Sequence, residues 1–415
     1  MFITNGKRDH IYHGLQFFLQ HWLHWRQQMK ADINPQKPFV QVVTSGGSGC
    51  RFYRASMPAF TLNWFENLGL HCIEVPSPLM EPGILGATRA IVLKSCAGWQ
   101  GLELIKQLKA AQAKFGFRII NDFDDMPYGA TVVREGDSCF EAFAAKQWDE
   151  RHNQASVECI KLSDVVTTTN RYLADKFRAS GASNVVIIPN AVARSMWNLE
   201  RRPPLQQDLT KLHLVLTACP QHAVPAHKDE KGEDVPEQLG DYASAEWREW
   251  VIKHVKEGDI QLTQMGNPSF LWNEIQDKVR SLPWVTPNRF ASLVCRLKPD
   301  LVIAPLVPNE LNRCRSDLRY VEAAVCSSAF LGSVFPDSPY ENTPELCHVQ
   351  QGATVADLDE KLRQLKDRDT YNKLITQGWD FLLKDGRIME SDACVGRYVD
   401  TWGASPSNQV AFDLV

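Results

Sequence analysis

Arg313 and Arg315 stand in a short polar stretch, KPDLVIAPLVPNELNRCRSDLRYVE at residues 298–322, together with Asn309, Asn312, Ser316 and Asp317. Forked guanidinium groups of this kind grip phosphate oxygens two at a time. LVIAP ahead of them is a short apolar run with β-branched residues, the signature of a parallel strand covered on both faces. The polar residues therefore sit between a strand's C-terminal end and a helix that starts at Ser316-Asp317. Open α/β sheets bind ligands there, and a helix N-terminus favours phosphate. The helix runs on as DLRYVEAAV, which puts Glu322 about 8 Å beyond its start at 1.5 Å per residue. A carboxylate at that depth can accept hydrogen bonds from sugar or ribose hydroxyls while the arginines hold a diphosphate.

Two further clusters invite chemistry. SGGSGC at 45–50, with Gly47 and Gly49, lets backbone approach a phosphate or sugar, because glycine removes the Cβ obstacle. It is neither a Walker loop nor a full GxGxxG. Arg51 and Arg54 follow it at a helix N-terminus. Asp122, Asp124 and Asp125 end the run FRIIND. They could hold a divalent ion, orient or deprotonate an acceptor hydroxyl, or cap the next turn and pair with an arginine. Lys94-Ser95-Cys96 closes another strand on the same rim and has no assigned role. Near the N-terminus His10, His13, His21 and His24 form two HxxH pairs, but without acidic or cysteine partners the segment reads as a packing helix.

The elements that must position these residues follow a repeated pattern. FVQVVT, CIEVP, AIVLKS, FRIIND, DVVTTT and NVVIIPN alternate with helical stretches such as GLELIKQLKAAQAKFG and NRYLADKFRASG. ERRPP at 200–204 is a linker by composition, after which KLHLVLTA, DIQLTQMG, DLVIAP and SAFLGSV restart the alternation. Such alternation predicts parallel, doubly wound sheets. The divisions expected are a helical extension at 1–37, a first Rossmann-like domain at 38–200, a second at 205–385, and a C-terminal helix or tail at 386–415 that packs back on the first. The loop at 220–242 is the longest irregular piece, a length usually tied to function or disorder.

Composition fits a soluble globular chain of two or three domains: 415 residues, 44% apolar, 23% charged and a net charge of −4. That balance supplies no global field toward nucleic acid or anionic membrane. Eleven cysteines without a CxxC pair read as reduced, mostly buried thiols. No apolar signal core or 18-residue apolar run is present, so the expected setting is cytoplasmic.

Four segments resemble retaining GT-B glycosyltransferases of the family-4 type. LSDVVTTTNRYLADKFRASGASNVVIIPNAV at 162–192 resembles the end of their first domain, and KPDLVIAPLVPNELNRCRSDLRYVEAA their donor-binding segment. GCRFYRASMPA and INDFDDMPY resemble the loop after the first strand and the D-x-DD strand end of a bacterial and bacteriophage subgroup. The resemblance implies that Glu322, matching the second Glu of E-x7-E, binds the ribose hydroxyls of a nucleotide sugar. The first Glu falls at Cys314, so Asn312, Arg315 and Ser316 take over that neighbourhood. The loop after the second domain's first strand reaches the diphosphate in the family, which brings in His222, His227 and Lys228.

The combined expectation is a GT-B glycosyltransferase with two Rossmann-like domains around a cleft and no required cofactor or metal. Its donor is a nucleotide-diphosphate sugar, UDP-sugar first, held by Gly47, Gly49, Arg51, Arg54, His222, Lys228, Asn312, Arg313, Arg315, Ser316, Asp317 and Glu322. Arg315, Glu322 and Asp124 are the expected catalytic groups. The acceptor is a hydroxyl of a bacterial polysaccharide or of a hydroxylated base in bacteriophage DNA, with retention at the anomeric carbon. An epimerase or phosphorylase on the same architecture, or a non-catalytic nucleotide-binding module, is the alternative.

Overall fold

The structure, a computed structural model, describes residues 39–44, 49–63, 70–129, 149–217, 245–266 and 269–403. The N-terminal extension with its histidines, Gly47, and the loop carrying His222, His227 and Lys228 lie outside the described residues.

Six parallel strands build the first lobe: β1 (Phe39–Val43), β2 (His71–Val75), β3 (Thr88–Lys94), β4 (Arg118–Phe123), β5 (Val165–Thr168) and β6 (Val185–Ile187). Their spatial order is β2-β1-β3-β4-β5-β6. The second lobe holds β7 (Leu212–Thr217), β8 (Ile260–Met265), β9 (Arg280–Leu282), β10 (Leu301–Ala304), β11 (Ala329–Val334) and β12 (His348–Gln350), in the order β12-β11-β10-β7-β8-β9. Every strand pair in both sheets is parallel. The inner strands are buried along their length, as sheets covered by helices on both faces must be. In each sheet the direction of winding reverses once, between β1 and β3 and between β7 and β10. Those reversals leave the crevices in which such sheets bind ligands.

Helices supply the cover. In the first lobe α1 (Met57–Asn63), α2 (Pro82–Ala87), α3 (Gly98–Phe115), α4 (Glu150–Leu162) and α5 (Arg171–Ala179) follow one another. The second lobe adds α6 (Ala245–Glu257), α7 (Pro287–Leu297), α8 (Leu318–Val325), α9 (Val355–Lys366) and α10 (Arg368–Lys384). α11 (Asp392–Tyr398) then runs into a π-helical turn, Val399–Gly403, that lies against β3 of the first lobe. The chain thus crosses between lobes twice, and the crossings are stitched side by side. Val192 N–H donates to Arg387 O at 2.9 Å and Met389 N–H to Val192 O at 2.8 Å. Trp197, just past the first crossing, meets Phe290 of α7 edge-on with ring centroids 6.1 Å apart. Apolar packing is therefore continuous across the junction.

Sequence patterning misses the sheet edges and one helical irregularity. β9 is exposed along most of its three residues and β12 is buried only at its centre, so neither carries an apolar run. SGGSGCRFYR reads as a turn, yet Gly49–Arg51 is helical and Phe52–Ser56 forms a π-helix before α1. Single π-turns inside helices are uncommon and gather at functional sites.

Gly332 on β11 tests the packing of the second lobe. A Cβ there would lie 2.6 Å from Phe330 Cε1 and 2.8 Å from Tyr340 Cδ2, and both rings are buried and packed edge to face. Gly332→Ala should cost about 1–3 kcal/mol through overpacking, read from urea denaturation midpoints. An unchanged midpoint would contradict this packing.

Candidate functional site

Register places the first half of the site. Lys94 on β3, Asp122 on β4 and Thr167 on β5 are direct partners across three strands, so their side chains stand in a row at the strands' C-terminal ends. Asp122 accepts from Thr167 Oγ1 at 2.6 Å and from Arg54 twice, at 2.5 Å (Nη2) and 3.2 Å (Nε). Lys94 Nζ lies 2.5 Å from Asp124 Oδ1 and 3.8 Å from Asp122 Oδ2. Ser95, between these groups, takes a left-handed φ of 54° while its N–H donates to Asp122 O. A non-glycine residue there stores about 1–3 kcal/mol of strain, a cost that concentrates at functional sites.

Electrostatics separates the two neighbouring aspartates. Burial opposes ionisation of Asp124, but the Lys94 ammonium and the hydrogen bonds from Cys50 and Lys94 outweigh it and hold the carboxyl well below its ordinary range. Asp125 is pushed up, by burial first and then by the Asp124 charge, against the pull of Arg315 and Lys94. Cys50 lies within the helical turn Gly49–Arg51 as an exposed residue, yet its thiol is crowded, and burial and the two aspartates push it up. Cys50, Asp124 and Asp125 bring ligand atoms within 4.8 Å of one another, a spacing a cation could bridge. The Lys94 ammonium already occupies that role beside Asp124.

The second half is the loop after β10. Asn309 caps the turn Glu310–Arg313 by accepting from Asn312 N–H at 2.8 Å. Asn312 is fully buried, donates to Val307 O, and accepts from Arg315 Nε at 2.9 Å. The Arg315 charge reaches Asp125 of the first lobe and pulls its carboxyl down. Arg313 diverges: its Nε donates to Pro336 O at 3.1 Å and its guanidinium lies over the Phe335 ring. Glu322 on α8 is 6% exposed. It accepts from Arg319 Nη1 at 2.8 Å and from the Tyr53 hydroxyl of the first lobe at 3.0 Å. Burial pushes its carboxyl up against both partners.

Amides tie the halves together. Asn170 caps α5 through its side-chain oxygen, while its Nδ2 donates across the seam to the carbonyls of Arg313 at 2.9 Å and Arg315 at 2.6 Å. Asn190 Nδ2 donates to Ser316 Oγ at 2.8 Å.

Several residues expected to hold donor are committed elsewhere. Arg54, 1% exposed, spends its fork on Asp122 and on the carbonyl of Ile188, so it braces the first lobe and faces no solvent. Asp317 makes a two-point ion pair with Arg387 at 2.6 and 3.0 Å, joining α8 to the return crossing. Arg51 pairs with the buried Glu74, whose Oε1 also accepts from Thr44 and Ser56. Gly49 opens the helical turn after β1. Tyr53, Asn170 and Asn190 were absent from the expected set; each looks locally like a packing or capping residue. Arg319, one turn before Glu322, was the legible omission.

A small cavity of about 30 Å³ lies away from this chemistry, beneath the linker between Arg202, Pro204, Asp300, Ser327 and Tyr371. It suits one water rather than a sugar nucleotide.

Two parallel α/β lobes, crossed twice by the chain and meeting through their ligand-binding edges, define the GT-B fold. Solved structures share it. A glycosyltransferase from Rickettsia africae ESF-5 superposes with a TM-score of 0.52 at 10% identity, over 90% of this chain and 100% of that one. TarM superposes at 0.50 with 9% identity, over 84% of this chain. The chain spans 58% of TarM's length. No family model and no curated protein matches the sequence. No helix among the described residues is long and apolar enough to cross a membrane.

Lys94→Met should destabilise the protein at pH 7 by about 3–5 kcal/mol, the usual result of leaving buried charge unpaired. Asp124, held low in the folded chain, contributes stability above the unfolded carboxylate value of about 4, and that contribution is lost as pH falls below it. The difference between wild type and variant in urea denaturation should therefore shrink as pH falls from about 4 towards about 2, between the unfolded and the folded value. A gap that stays constant would contradict the pairing.

Proposed function

We propose that this chain is a glycosyltransferase that moves a sugar from a nucleotide-diphosphate donor, UDP-sugar first among candidates, to a carbohydrate hydroxyl. One observation carries the reading: Asn312 fixes the Arg315 side chain in the second sheet's crevice, on a loop whose backbone Asn170 of the first lobe holds at the seam. Glycosyl transfer builds positive charge at the anomeric carbon and negative charge on the leaving β-phosphate. Rate comes from donors fixed where that charge develops, before it develops. Arg315 and the N–H groups around Ser316 take the leaving phosphate, and Glu322 takes the ribose. Cys314, at the position of the usual first glutamate, is buried against Met126, which supports donor contacts from the loop's backbone in place of a carboxylate.

Asp124 receives the acceptor hydroxyl and orients it. Ion-paired and strongly acidic, it is a poor base at neutral pH. That favours retention, with the departing phosphate itself taking the acceptor proton on the same face. The cations of the first lobe support a neutral acceptor. Arg51, Arg54 and Lys94 are matched by Glu74, Asp122 and Asp124, so they offer bacteriophage DNA no free phosphate contacts.

Arg315→Ala should weaken binding of a nucleoside diphosphate and lower kcat by about 10²–10³, the range for losing one transition-state donor. Calorimetry with UDP and GDP, then mass spectrometry of products from oligosaccharide acceptors, measures both. Unchanged affinity and turnover would remove Arg315 from the site. Release of a free epimer, without acceptor consumption, would replace transfer by epimerisation.

A further inference from the structure

We propose that Tyr53 is a built-in surrogate for the donor's ribose hydroxyl: in the ligand-free protein its phenol occupies the carboxylate that the ribose must take. This rests on the reading of Glu322 as the ribose-binding group.

Tyr53 and Glu322 come from different lobes, 269 residues apart, and meet at 3.0 Å in a buried contact. A buried carboxylate is costly unless each oxygen is supplied with donors. Arg319 supplies Oε2, held in turn by its own bond to Thr217 O at the end of β7. Oε1 takes the Tyr53 phenol, which matches a ribose hydroxyl in being a neutral O–H that donates one hydrogen bond. The two therefore compete for one oxygen. Tyr53 stands in the π-helix Phe52–Ser56, immediately after the turn that carries Cys50, so its position is tied to the rim of the first crevice. The other bonds across the seam, Asn170 to the Arg313 and Arg315 carbonyls and Asn190 to Ser316, use the loop on which Arg315 rides. Apparent donor affinity is lowered by the fraction of molecules in which the phenol holds the carboxylate.

The test compares wild type, Tyr53→Phe and Glu322→Gln by calorimetry with two probes, UDP and inorganic pyrophosphate. Tyr53→Phe should bind UDP about tenfold more tightly, as expected when one hydrogen bond to a charged group no longer competes. Pyrophosphate, which has no ribose, should bind both proteins alike. Thermal denaturation should show the ligand-free variant melting below wild type, and saturating UDP should close most of that gap. Glu322→Gln should bind UDP more weakly and pyrophosphate normally. If wild type binds UDP and Glu322→Gln weakens it while Tyr53→Phe changes nothing or weakens it too, the ribose site stands and the surrogate is wrong. An equal gain for UDP and pyrophosphate would mark a simple lobe closure and also overturn it. If Glu322→Gln leaves UDP affinity unchanged, the ribose assignment fails, and the surrogate with it.

Discussion

Charge neutralisation at the C-terminal edge of the first sheet is the constraint on which the rest depends. Glu74, Asp122, Asp124 and Asp125 crowd the ends of β2 and β4, largely out of water. Bare carboxylates at such depth would cost several kcal/mol each or lose their charge. The chain answers with Arg51 and Arg54 from the helical segment after β1 and with Lys94 from the end of β3. Asp125 feels the Arg315 charge of the other lobe and, less strongly, that of Lys94, and both oppose the upward push of burial and of Asp124.

Rigid support for that arrangement comes from short-range hydrogen bonding. Asn309 fixes the turn, the turn fixes Asn312, and Asn312 fixes Arg315. Asn170 shows how local and long-range order are combined in a single side chain: its oxygen caps a helix while its amide nitrogen holds two carbonyls of the opposing loop. Replacing either function alone would disturb the other. The paired crossings at Val192 and Ile388 are joined by a parallel bridge and by the backbone bonds of Val192 to Arg387 and Met389.

Much of the fold was legible because inner strands are continuous apolar runs and helices carry clear stops such as Gly116 and Gly181. The edge strands β9 and β12 were not, since their side chains see water and follow no period. Among site residues, the loop after β10 was legible from its chemistry, and Arg315, Asn312 and Glu322 do converge on the seam. Arg54 and Asp317 were misread for a common reason: a charged residue at a helix start looks like a ligand group until its partner is known. Asp122 and Arg387 lie 68 and 70 residues away from them, beyond any local pattern. Tyr53 lies in the GCRFYRASMPA segment that carries the resemblance, but a buried aromatic residue ordinarily reads as core and it was given no role.

A crystal structure with a bound nucleoside diphosphate tests the central claim most directly. The diphosphate should lie within hydrogen-bond reach of Arg315, with a ribose hydroxyl on Glu322 and Tyr53 displaced from it. A nucleotide seated elsewhere, out of reach of Arg315 and with the Tyr53–Glu322 bond intact, would contradict it.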